Sequence, residues 1–395
     1  RTWVKKVKGI FPTLTYPSHT SIITGQYPAV HGIVNNTKLQ PRRQSPDWFW
    51  YRKDIQSMPL YDIAKEKGLT TAAFLWPVTA GSKIDYNLAE IFPNRIWTNQ
   101  VLVSLKASSP LFLYEMNKKY GKLRHGIKQP WLDDFVTACA VDTIKNKKPD
   151  LTLIHLVDMD SMRHRYGVRS PQAKEALHRL DKRVAKIIQV TKDTGTYPQT
   201  DFVILGDHYQ INVDKMIHLN MLFAQQGLLH PLGKKSTYRN NWQVTAKTCD
   251  GETYIYTRGA VDRGKLKQMI AGVEGVERIY DNATAIKRGA DPKCTFLVEA
   301  KPGYYFTDEV NRPAIVEKVD SESIGTHDRY HGVHGYGPTQ ANYFTTAIFA
   351  GPQIESGATV ENAHLVDEGP TFAKLLGLHY PAPTAGQAID AIFKG

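Results

Sequence analysis

The chain of 395 residues is 42% apolar and 22% charged, an ordinary globular composition that argues against a disordered protein. No apolar run reaches the roughly 18 residues that a membrane-spanning helix needs, and neither a dense basic block nor an RNA-binding motif predicts a nucleic-acid-binding module. The formal net charge of +12 would attract anionic substrates, although a solvated Lys/Arg surface that aids solubility is the simpler explanation.

The first candidate for chemistry is Thr15, in a polar segment near the start of the chain. Pro17 and Ser18 suit the first turn of a helix, so Thr15 precedes a predicted helix start. A helix N-terminus offers free N–H groups and positive potential to an anion, and a hydroxyl there can attack phosphorus once a metal has deprotonated it. Helix capping is the commoner role for a threonine at such a position.

Helix and strand patterns alternate through the middle of the chain. Helical spacing of apolar residues predicts helices over 131–147, 171–192 and 216–228, and compact apolar runs predict buried strands over 151–157 and 201–205. This alternation predicts an α/β fold with a mostly parallel central sheet and helices on both faces.

Two polar groups follow the predicted strands, where open α/β sheets hold their sites. Asp160 and His164 are four residues apart, so on a helix they share a face and can bind one zinc ion, although a hydrogen-bonded structural pair is the simpler reading. Asp207 and His208 directly follow the 201–205 strand, and burying such a pair without a partner is costly. A metal would satisfy both side chains, and a solvated turn is the alternative.

The stretch 236–310 has a different pattern and predicts a small α+β insertion. Strands are expected at 252–256 and 295–298 and a helix at 264–271, so the core would be divided into 1–235 and 311–395. The sheet is predicted to resume over 343–350, and a last helix is predicted over 370–376. Between them, His327, His331 and His334 lie in a glycine-rich segment, where we expect one of the three to bind a metal.

Cys139, Cys249 and Cys294 are scattered and odd in number, so they predict neither a disulfide framework nor a zinc-type cysteine pair. This cysteine usage favours a reducing compartment such as the cytoplasm. The sequence does not assign the compartment, because it has no initiator Met and we expect it to be a fragment, so that the lack of a signal peptide means little.

Taken in order, these patterns resemble the nucleotide pyrophosphatase/phosphodiesterase family of the alkaline-phosphatase superfamily. The matching segments are Thr15 to His19, Asp160-x-x-x-His164, Asp207-His208 and His334-Gly335-Tyr336, with further matches at 24–28, 31–36, 74–77 and 375–378. The resemblance covers nearly the whole chain and implies an alkaline-phosphatase-like fold.

The resemblance also implies a site with two divalent metal ions, most naturally Zn²⁺. It assigns Asp160, His164 and His334 to one ion, and it assigns Asp207, His208 and the nucleophile Thr15 to the second. His19 and His31 lie inside matching segments but are not family ligands, so we interpret both as structural.

Two residues beside the nucleophile match substrate-binding positions of the family. Asn36 matches an asparagine that hydrogen-bonds a phosphoryl oxygen. Tyr16 matches an aromatic position that can stack on a nucleobase or leaving group, and a core aromatic is the alternative. The nearby aromatics from Trp48 to Tyr51 can shape a leaving-group pocket, although core packing explains them equally well.

One feature departs from the family pattern. The family supplies a further Asp ligand to the second zinc from the first strand of the sheet, upstream of the Thr15 motif, but the 14 residues before Thr15 contain no Asp. We expect the strand to be missing from this sequence, since its true loss would leave an unpaired edge in the sheet. The alternative is an incomplete second metal site.

The expected function is therefore a metal-dependent phosphodiesterase that acts on a nucleotide or another small phosphodiester. A phosphomonoesterase or phosphonate hydrolase on the same scaffold is the enzymatic alternative. A metal-poor binding protein that keeps the fold without catalysis is the alternative from another class, and the missing Asp is its only support. A sulfatase is not expected, because no Cys or Ser stands in the Cys/Ser-x-Pro-x-Arg pattern.

Overall fold

The computed structural model describes residues 1–94, 99–234 and 236–395. Its strands are β1 (Thr2–Lys8), β2 (Thr71–Phe74), β3 (Tyr86–Leu88), β4 (Leu151–Ile154), β5 (Phe202–Leu205), β6 (Ile211–Asn212), β7 (Lys215–Ile217), β8 (Val244–Cys249), β9 (Glu252–Thr257), β10 (Val276–Asp281), β11 (Phe296–Ala300), β12 (Tyr304–Phe306), β13 (Val316–Lys318), β14 (Gly332–Val333), β15 (Thr345–Ala350) and β16 (Thr359–His364). Its α-helices are α1 (Thr15–Thr24), α2 (Pro28–His31), α3 (Leu60–Glu66), α4 (Gln100–Ala107), α5 (Pro110–Tyr120), α6 (Trp131–Lys147), α7 (Asp158–Tyr166), α8 (Pro171–Asp193), α9 (Leu219–Gln225), α10 (Arg263–Ala271), α11 (Asn282–Lys287) and α12 (Glu368–Leu375).

The central strands form two hydrogen-bonded sheets, in the orders β16-β1-β15-β5 and β3-β2-β4. Strand β1 runs parallel to β16, and β2 runs parallel to both of its neighbours, whereas β15 runs antiparallel to β1 and β5. The predicted α/β fold with mostly parallel central strands is confirmed, and β15 is the reversed strand among them.

Helices cover both faces of these sheets, as strand β2 illustrates. Ala73 packs into a core with α1, α3 and α12, while its neighbours Ala72 and Phe74 pack into a second core with α5 and α6. Because successive side chains of a strand point to opposite faces, a strand buried on both sides reads as a continuous apolar run. The 151–157 and 201–205 runs predicted the strands β4 and β5 correctly, but their burial was predicted wrongly, since Leu153 is the one buried residue of β4 and β5 has none.

Strands β4 and β5 stand at the ends of their sheets, and the part of the chain that the structure describes pairs no strand with their outer edges. Ile204 of β5 is accordingly 41% exposed, unusual for an apolar residue in a central strand. Strand β1, the element upstream of Thr15, contains no carboxylate. The further Asp ligand that the family pattern expects from this direction is therefore not among the described residues.

The helix predicted over 216–228 is partly wrong. Met216 and Ile217 belong to strand β7, which pairs with β12 and β13, and the helix α9 is confined to Leu219–Gln225. A short apolar run fits a buried strand as well as a helix, and here pairing with distant strands decides the outcome. The helices predicted over 131–147, 171–192, 264–271 and 370–376 correspond to α6, α8, α10 and α12.

Strands β8 to β11 form an antiparallel sheet in the order β10-β11-β9-β8, flanked by α10 and α11. These elements lie within the predicted insertion 236–310. Its boundaries stay a prediction, and residue 235 lies outside the described residues. The three cysteines are free and buried. No helix in the described ranges is long and apolar enough to cross a membrane.

Candidate active site

Thr15 stands at the first position of α1, after the backbone leaves β1. Leu14 is the N-cap and makes no side-chain capping bond. The Thr15 hydroxyl instead lies 3.1 Å from Nε2 of His208, which comes from a distant part of the chain. The alternative that Thr15 is a helix cap is therefore wrong, and its hydroxyl faces other polar side chains at the positive end of α1.

Asn36 lies beside the nucleophile position and is held by backbone. Its Oδ1 accepts the Tyr16 N–H at 2.9 Å, which fixes the orientation of the amide. Among the described residues, Nδ2 of Asn36 has no protein acceptor, and the residue lines the same cleft as Thr15. The amide can therefore donate to a bound oxyanion next to Thr15.

Tyr16 lines the cleft, but its side chain is not exposed there. It is fully buried and packs on Trp48 with ring centroids 5.2 Å apart. Burial, and next the charge of Glu90, raise the pKa of its hydroxyl well above the usual value. The burial of the ring favours the core-aromatic alternative, and Trp48 supplies aromatic surface to the cleft instead.

Asp160, His164 and His334 are brought together into what we call the first centre. Nε2 of His164 lies 3.4 Å from Oδ1 of Asp160, and Nε2 of His334 lies 3.9 Å from the same oxygen. One ligand atom from each of the three lies within 4.8 Å of the other two. Helix α7 places the first two on one face, as their spacing predicted, and His334 follows β14.

Hydrogen bonds to backbone carbonyls orient both histidines of the first centre. Nδ1 of His164 lies 2.7 Å from the Gly332 carbonyl, and Nδ1 of His334 lies 3.1 Å from the Thr13 carbonyl. A carbonyl oxygen only accepts, so Nδ1 carries a proton in both rings and Nε2 is the nitrogen that a metal could bind. This is the arrangement in which outer partners orient histidine ligands of a metal.

Two further residues position the first centre. The sequence patterns did not identify Gln210, and they included Gly335 only as part of a matching segment. Gln210 is buried, and its Nε2 donates to Oδ1 of Asp160 at 2.6 Å. Gly335 has a φ of +83°, and a Cβ at this position would lie 1.7 Å from the Cys249 carbonyl oxygen. Only glycine therefore lets the backbone that carries His334 approach this turn.

Asp207 and His208 form, with Thr15, the second centre. Nε2 of His208 lies 3.1 Å from Oδ2 of Asp207 and 3.1 Å from the Thr15 hydroxyl. Gly206, directly before Asp207, lets the backbone pass close to Thr345. A Cβ at position 206 would lie 2.1 Å from the Thr345 hydroxyl oxygen. The His208 and His334 rings are stacked with centroids 3.9 Å apart, so the two centres are contiguous.

Comparison with known proteins identifies the family. Residues 1–337 match the family described as type I phosphodiesterase/nucleotide pyrophosphatase. The chain belongs to this family. It is 26% identical to human ectonucleotide pyrophosphatase/phosphodiesterase family member 1 over 234 residues, which are 55% of this chain and 21% of the relative. It is 23% identical to venom phosphodiesterase 2 of Crotalus adamanteus over 238 residues, which are 56% of this chain and 25% of the relative.

These alignments span only about a fifth to a quarter of the curated relatives. Solved structures match more completely. Human ectonucleotide pyrophosphatase/phosphodiesterase 5 has a TM-score of 0.68 at 18% identity, over 100% of this chain and 92% of that chain. The murine protein, as an inactive threonine-to-alanine variant in complex with AMP, has a TM-score of 0.66 at 16% identity, over 100% of this chain and 91% of that chain. The alkaline-phosphatase-like fold is thereby confirmed.

The carboxylates and imidazoles of this phosphodiesterase-family site shift one another's pKa values. Burial alone would raise the pKa of Asp160, but His164 outweighs it and holds the pKa below the usual range. Burial would likewise raise the pKa of Asp207, and His208 reverses the shift. Burial, and next His208, depress the pKa of His334 well below its usual value. Ionised carboxylates beside a neutral imidazole are a donor set that fits a divalent metal such as zinc.

Both centres of this family member open into one cleft of about 630 Å³. Its walls combine aromatic surface from Trp48 and Phe92 with the cationic side chains of Arg43, Arg165 and Lys247. The lining also includes the carboxylates of Glu90, Asp250, Asp308 and Asp328, so the cleft carries both signs of charge. It is large enough for a small phosphorylated ligand.

Proposed function

We propose that this chain is a phosphodiesterase that hydrolyses a nucleotide or a related small phosphodiester through a threonine nucleophile, with two zinc ions. One observation carries the proposal. Side chains from five separate parts of the chain converge on one cleft, and each is of the type that such chemistry needs. They are Thr15, Asn36, Asp160 with His164, Asp207 with His208, and His334.

In the proposed reaction, Thr15 attacks phosphorus in line with the leaving oxygen. Its hydroxyl lies at the N-terminus of α1, where the helix potential favours an anion, and His208 lies within 3.1 Å of it. Divalent ions held by Asp160, His164 and His334 and by Asp207, His208 and Thr15 would lower the pKa of this hydroxyl and neutralise phosphoryl charge. Attack forms the Thr15–phosphorus bond as the leaving oxygen departs, and water then hydrolyses the phosphothreonine.

Asn36 stabilises the charge that develops on a phosphoryl oxygen during both steps. Its Oδ1 is committed to the Tyr16 N–H, so Nδ2 is the group that faces the substrate. A donor held in advance near the reacting group is worth about 10²–10³ in rate. An asparagine is neutral and suits the single negative charge of a diester. A monoester dianion would favour an arginine, whose guanidinium donates hydrogen bonds to two phosphate oxygens at once.

A nucleotide is the substrate class that the cleft favours. A related murine structure of the same fold is described in complex with AMP. In the present chain, the exposed part of Trp48 offers an aromatic surface on which a nucleobase can stack, and Arg165 lines the same cleft, where it can contact phosphate oxygens.

The deciding experiment compares kcat/KM for a nitrophenyl nucleotide diester, the matching nitrophenyl monoester and a phosphonate ester on zinc-loaded protein. We expect the diester to exceed the monoester by well over tenfold. A diester-to-monoester ratio below one would identify a phosphomonoesterase, and a preference for the phosphonate would identify a phosphonate hydrolase. Bound metal without turnover of any of them would identify a binding protein that keeps the fold.

A further inference from the structure

Helix α5 and the segment that leads from it into α6 expose a dense group of large apolar side chains. Leu111 is 87% exposed, Tyr114 is 65% exposed and Ile127 is 62% exposed, and Leu123 and Trp131 are exposed as well. A single exposed apolar residue is common on a protein surface, but five of them between positions 111 and 131 indicate an interaction site.

Helix α5 has apolar side chains on two opposite faces. Phe112 and Met116 are four residues apart, and both are buried in the core that α5 shares with α6. Leu111 and Tyr114 are three residues apart, so they share the other face, where both are exposed. A helix at the protein surface needs one apolar face to pack on the core. The outer apolar face of α5 is therefore available to a partner outside the chain.

Positive charge lies among these apolar side chains. Glu115 is the one acidic residue between positions 111 and 131, and it pairs with Lys119. Four other basic side chains are exposed here and form no ion pair within the part of the chain that the structure describes: Lys118, Lys122, Arg124 and Lys128. Unpaired positive charge beside exposed apolar side chains is typical of surfaces that bind anionic membranes.

The exposed residues belong to one surface beside the cleft that contains both centres. A short turn at Gly121–Leu123 continues α5, and α6 begins at Trp131 and packs against α5. Between them, the His125 ring packs edge-on against the Trp131 ring, with centroids 4.9 Å apart. Ile127, from the same segment, lines the cleft. A partner bound to this surface would therefore lie next to the mouth of the cleft.

The position of α5 in the fold keeps this surface away from the open edge of β4. Helix α5 packs against β3, which is the strand at the opposite end of the β3-β2-β4 sheet from β4. A strand added beside β4 would lie on the far side of this sheet from α5. The outer face of α5 would stay exposed beside such a strand.

We propose that residues 111–131 form a docking surface for a bilayer that contains anionic phospholipids, and we call it the α5 surface. The apolar side chains insert between the lipid headgroups, and the lysines contact the anionic groups around them. Tyr114 and Trp131 suit this boundary, because each has an apolar ring with a polar atom at its edge. Exposed leucine and isoleucine gain little from a nucleic-acid backbone, so the apolar part of the surface favours a bilayer.

The test measures co-sedimentation of the chain with phosphatidylcholine vesicles that contain or lack phosphatidylserine. Leu111→Ser with Tyr114→Ser removes apolar side chains from the α5 surface, and Lys118→Gln with Lys122→Gln removes two of its charges. Turnover of a soluble nitrophenyl diester without vesicles, together with thermal unfolding, checks that each variant folds. None of the four substituted residues lines the cleft.

Helix α8 supplies matched controls from another part of the surface. Leu177→Ser removes an apolar side chain that is exposed on α8, and Lys174→Gln with Lys182→Gln removes two exposed lysines of the same helix. These controls change composition and charge in the same way but leave the α5 surface intact.

We expect the wild type and the α8 controls to bind the vesicles with phosphatidylserine and to bind pure phosphatidylcholine far more weakly. Lys118→Gln with Lys122→Gln should weaken binding by about 30-fold, since each lysine near an anionic surface contributes about fivefold. Leu111→Ser with Tyr114→Ser should weaken it by about tenfold or more, because apolar area is lost from the interface. Raising the salt from about 0.1 M to about 1 M should weaken wild-type binding, because the screening length falls to about 3 Å.

A wild type that does not sediment with phosphatidylserine vesicles would overturn the inference, and so would binding that the α5 variants retain in full. Two other partners give different results, and either would also overturn it. Binding to polyglutamate without binding to vesicles would identify an acidic protein partner. Self-association that Leu111→Ser with Tyr114→Ser abolishes, without vesicle binding, would identify a second copy of the chain. Vesicle binding is measured without turnover, so it is independent of the reaction proposed above.

Discussion

The two centres are built from similar residues but are supported differently. In the first centre, both histidines donate Nδ1 to backbone carbonyls, and Gln210 donates to Asp160. In the second centre, Nδ1 of His208 is buried and has no hydrogen-bond partner among the described residues. The second centre also contains Thr15, the group proposed to react.

This difference indicates which centre has its side chains held more rigidly by the surrounding fold. Outer partners hold a ligand in place before a metal arrives, so the first centre is pre-organised by the fold. In the second centre, the side chains are oriented more by one another, and the carboxylate of Asp207 contacts both His208 and His19. We therefore expect the strongest chemical effects from the second centre and the strongest effects on metal retention from the first.

The largest expected effect is that of Thr15→Ala in the second centre. Turnover should fall by about 10⁴-fold or more, because the attacking oxygen is lost, while the fold is unaffected. Thr15→Ser keeps an oxygen and should retain part of the activity. The measurement is kcat for a nitrophenyl nucleotide diester, and near-normal turnover by Thr15→Ala would rule out the covalent route.

His334→Ala tests the first centre. Removing one of three ligands should release one zinc ion and lower kcat/KM by about 10³-fold, since a bound metal supplies several kcal/mol of transition-state stabilisation. His331→Ala is the control, because His331 belongs to the same segment but its side chain is exposed. Metal content and kcat/KM are measured together, and equal losses in both variants would contradict the selection of His334.

Asn36→Ala should slow diester hydrolysis by about 10²–10³-fold, which is the scale of one lost charge-stabilising donor. Zinc content should stay at the wild-type value, because Asn36 belongs to neither centre. Asn36→Asp keeps an acceptor for the Tyr16 N–H but replaces the donor with a negative charge, so it should be at least as slow. An active Asn36→Asp variant would show that the amide donor is not needed.

Much of the first centre was accessible from the sequence, because its signals are local. The four-residue spacing of Asp160 and His164 predicted a shared helix face, and α7 provides it. The strand that precedes Asp207 was visible as an apolar run. The selection of His334 from three nearby histidines came from the family resemblance, because no local pattern distinguishes it from His331.

The remaining features depend on contacts between distant segments. The burial of the Tyr16 ring is decided by Trp48 and Glu90, and the closeness of His155 to Asp207 is decided by where β4 and β5 end. Pairing of β7 with β12 and β13 likewise overrode a helical pattern. Patterns in a single sequence show periodicity along the chain, and they do not predict which distant segments come into contact.

The smallest expected effect concerns Glu368, a buried carboxylate outside both centres. It is fully buried, and neither carboxylate oxygen has a hydrogen-bond partner among the described residues. Burial, and next the charges of Asp367 and Asp207, raise its pKa well above the ordinary value of 4.5. Asp160 and Asp207 show the opposite shift, because histidines adjoin them. The contrast indicates that imidazole partners, rather than burial, mark the carboxylates of the site.

The sign of the pH dependence follows from that raised pKa. Above pH 4.5 the unfolded chain releases the proton of Glu368 while the folded chain keeps it, so stability falls as pH rises toward the folded-state pKa. Glu368→Gln removes this titration and should raise the free energy of unfolding near pH 8 by about 1–3 kcal/mol, because each pH unit over which only the folded chain keeps the proton costs about 1.4 kcal/mol. Urea unfolding between pH 5 and pH 8, roughly spanning the window in which the protonation of Glu368 differs between the folded and unfolded states, measures the effect.

Glu361→Gln is the control, because Glu361 is exposed and pairs with Lys5 at the surface, where a change should stay within about 0.5 kcal/mol. Equal pH slopes for the wild type and Glu368→Gln would show that Glu368 finds a partner in solution, and the contrast with the site carboxylates would then disappear.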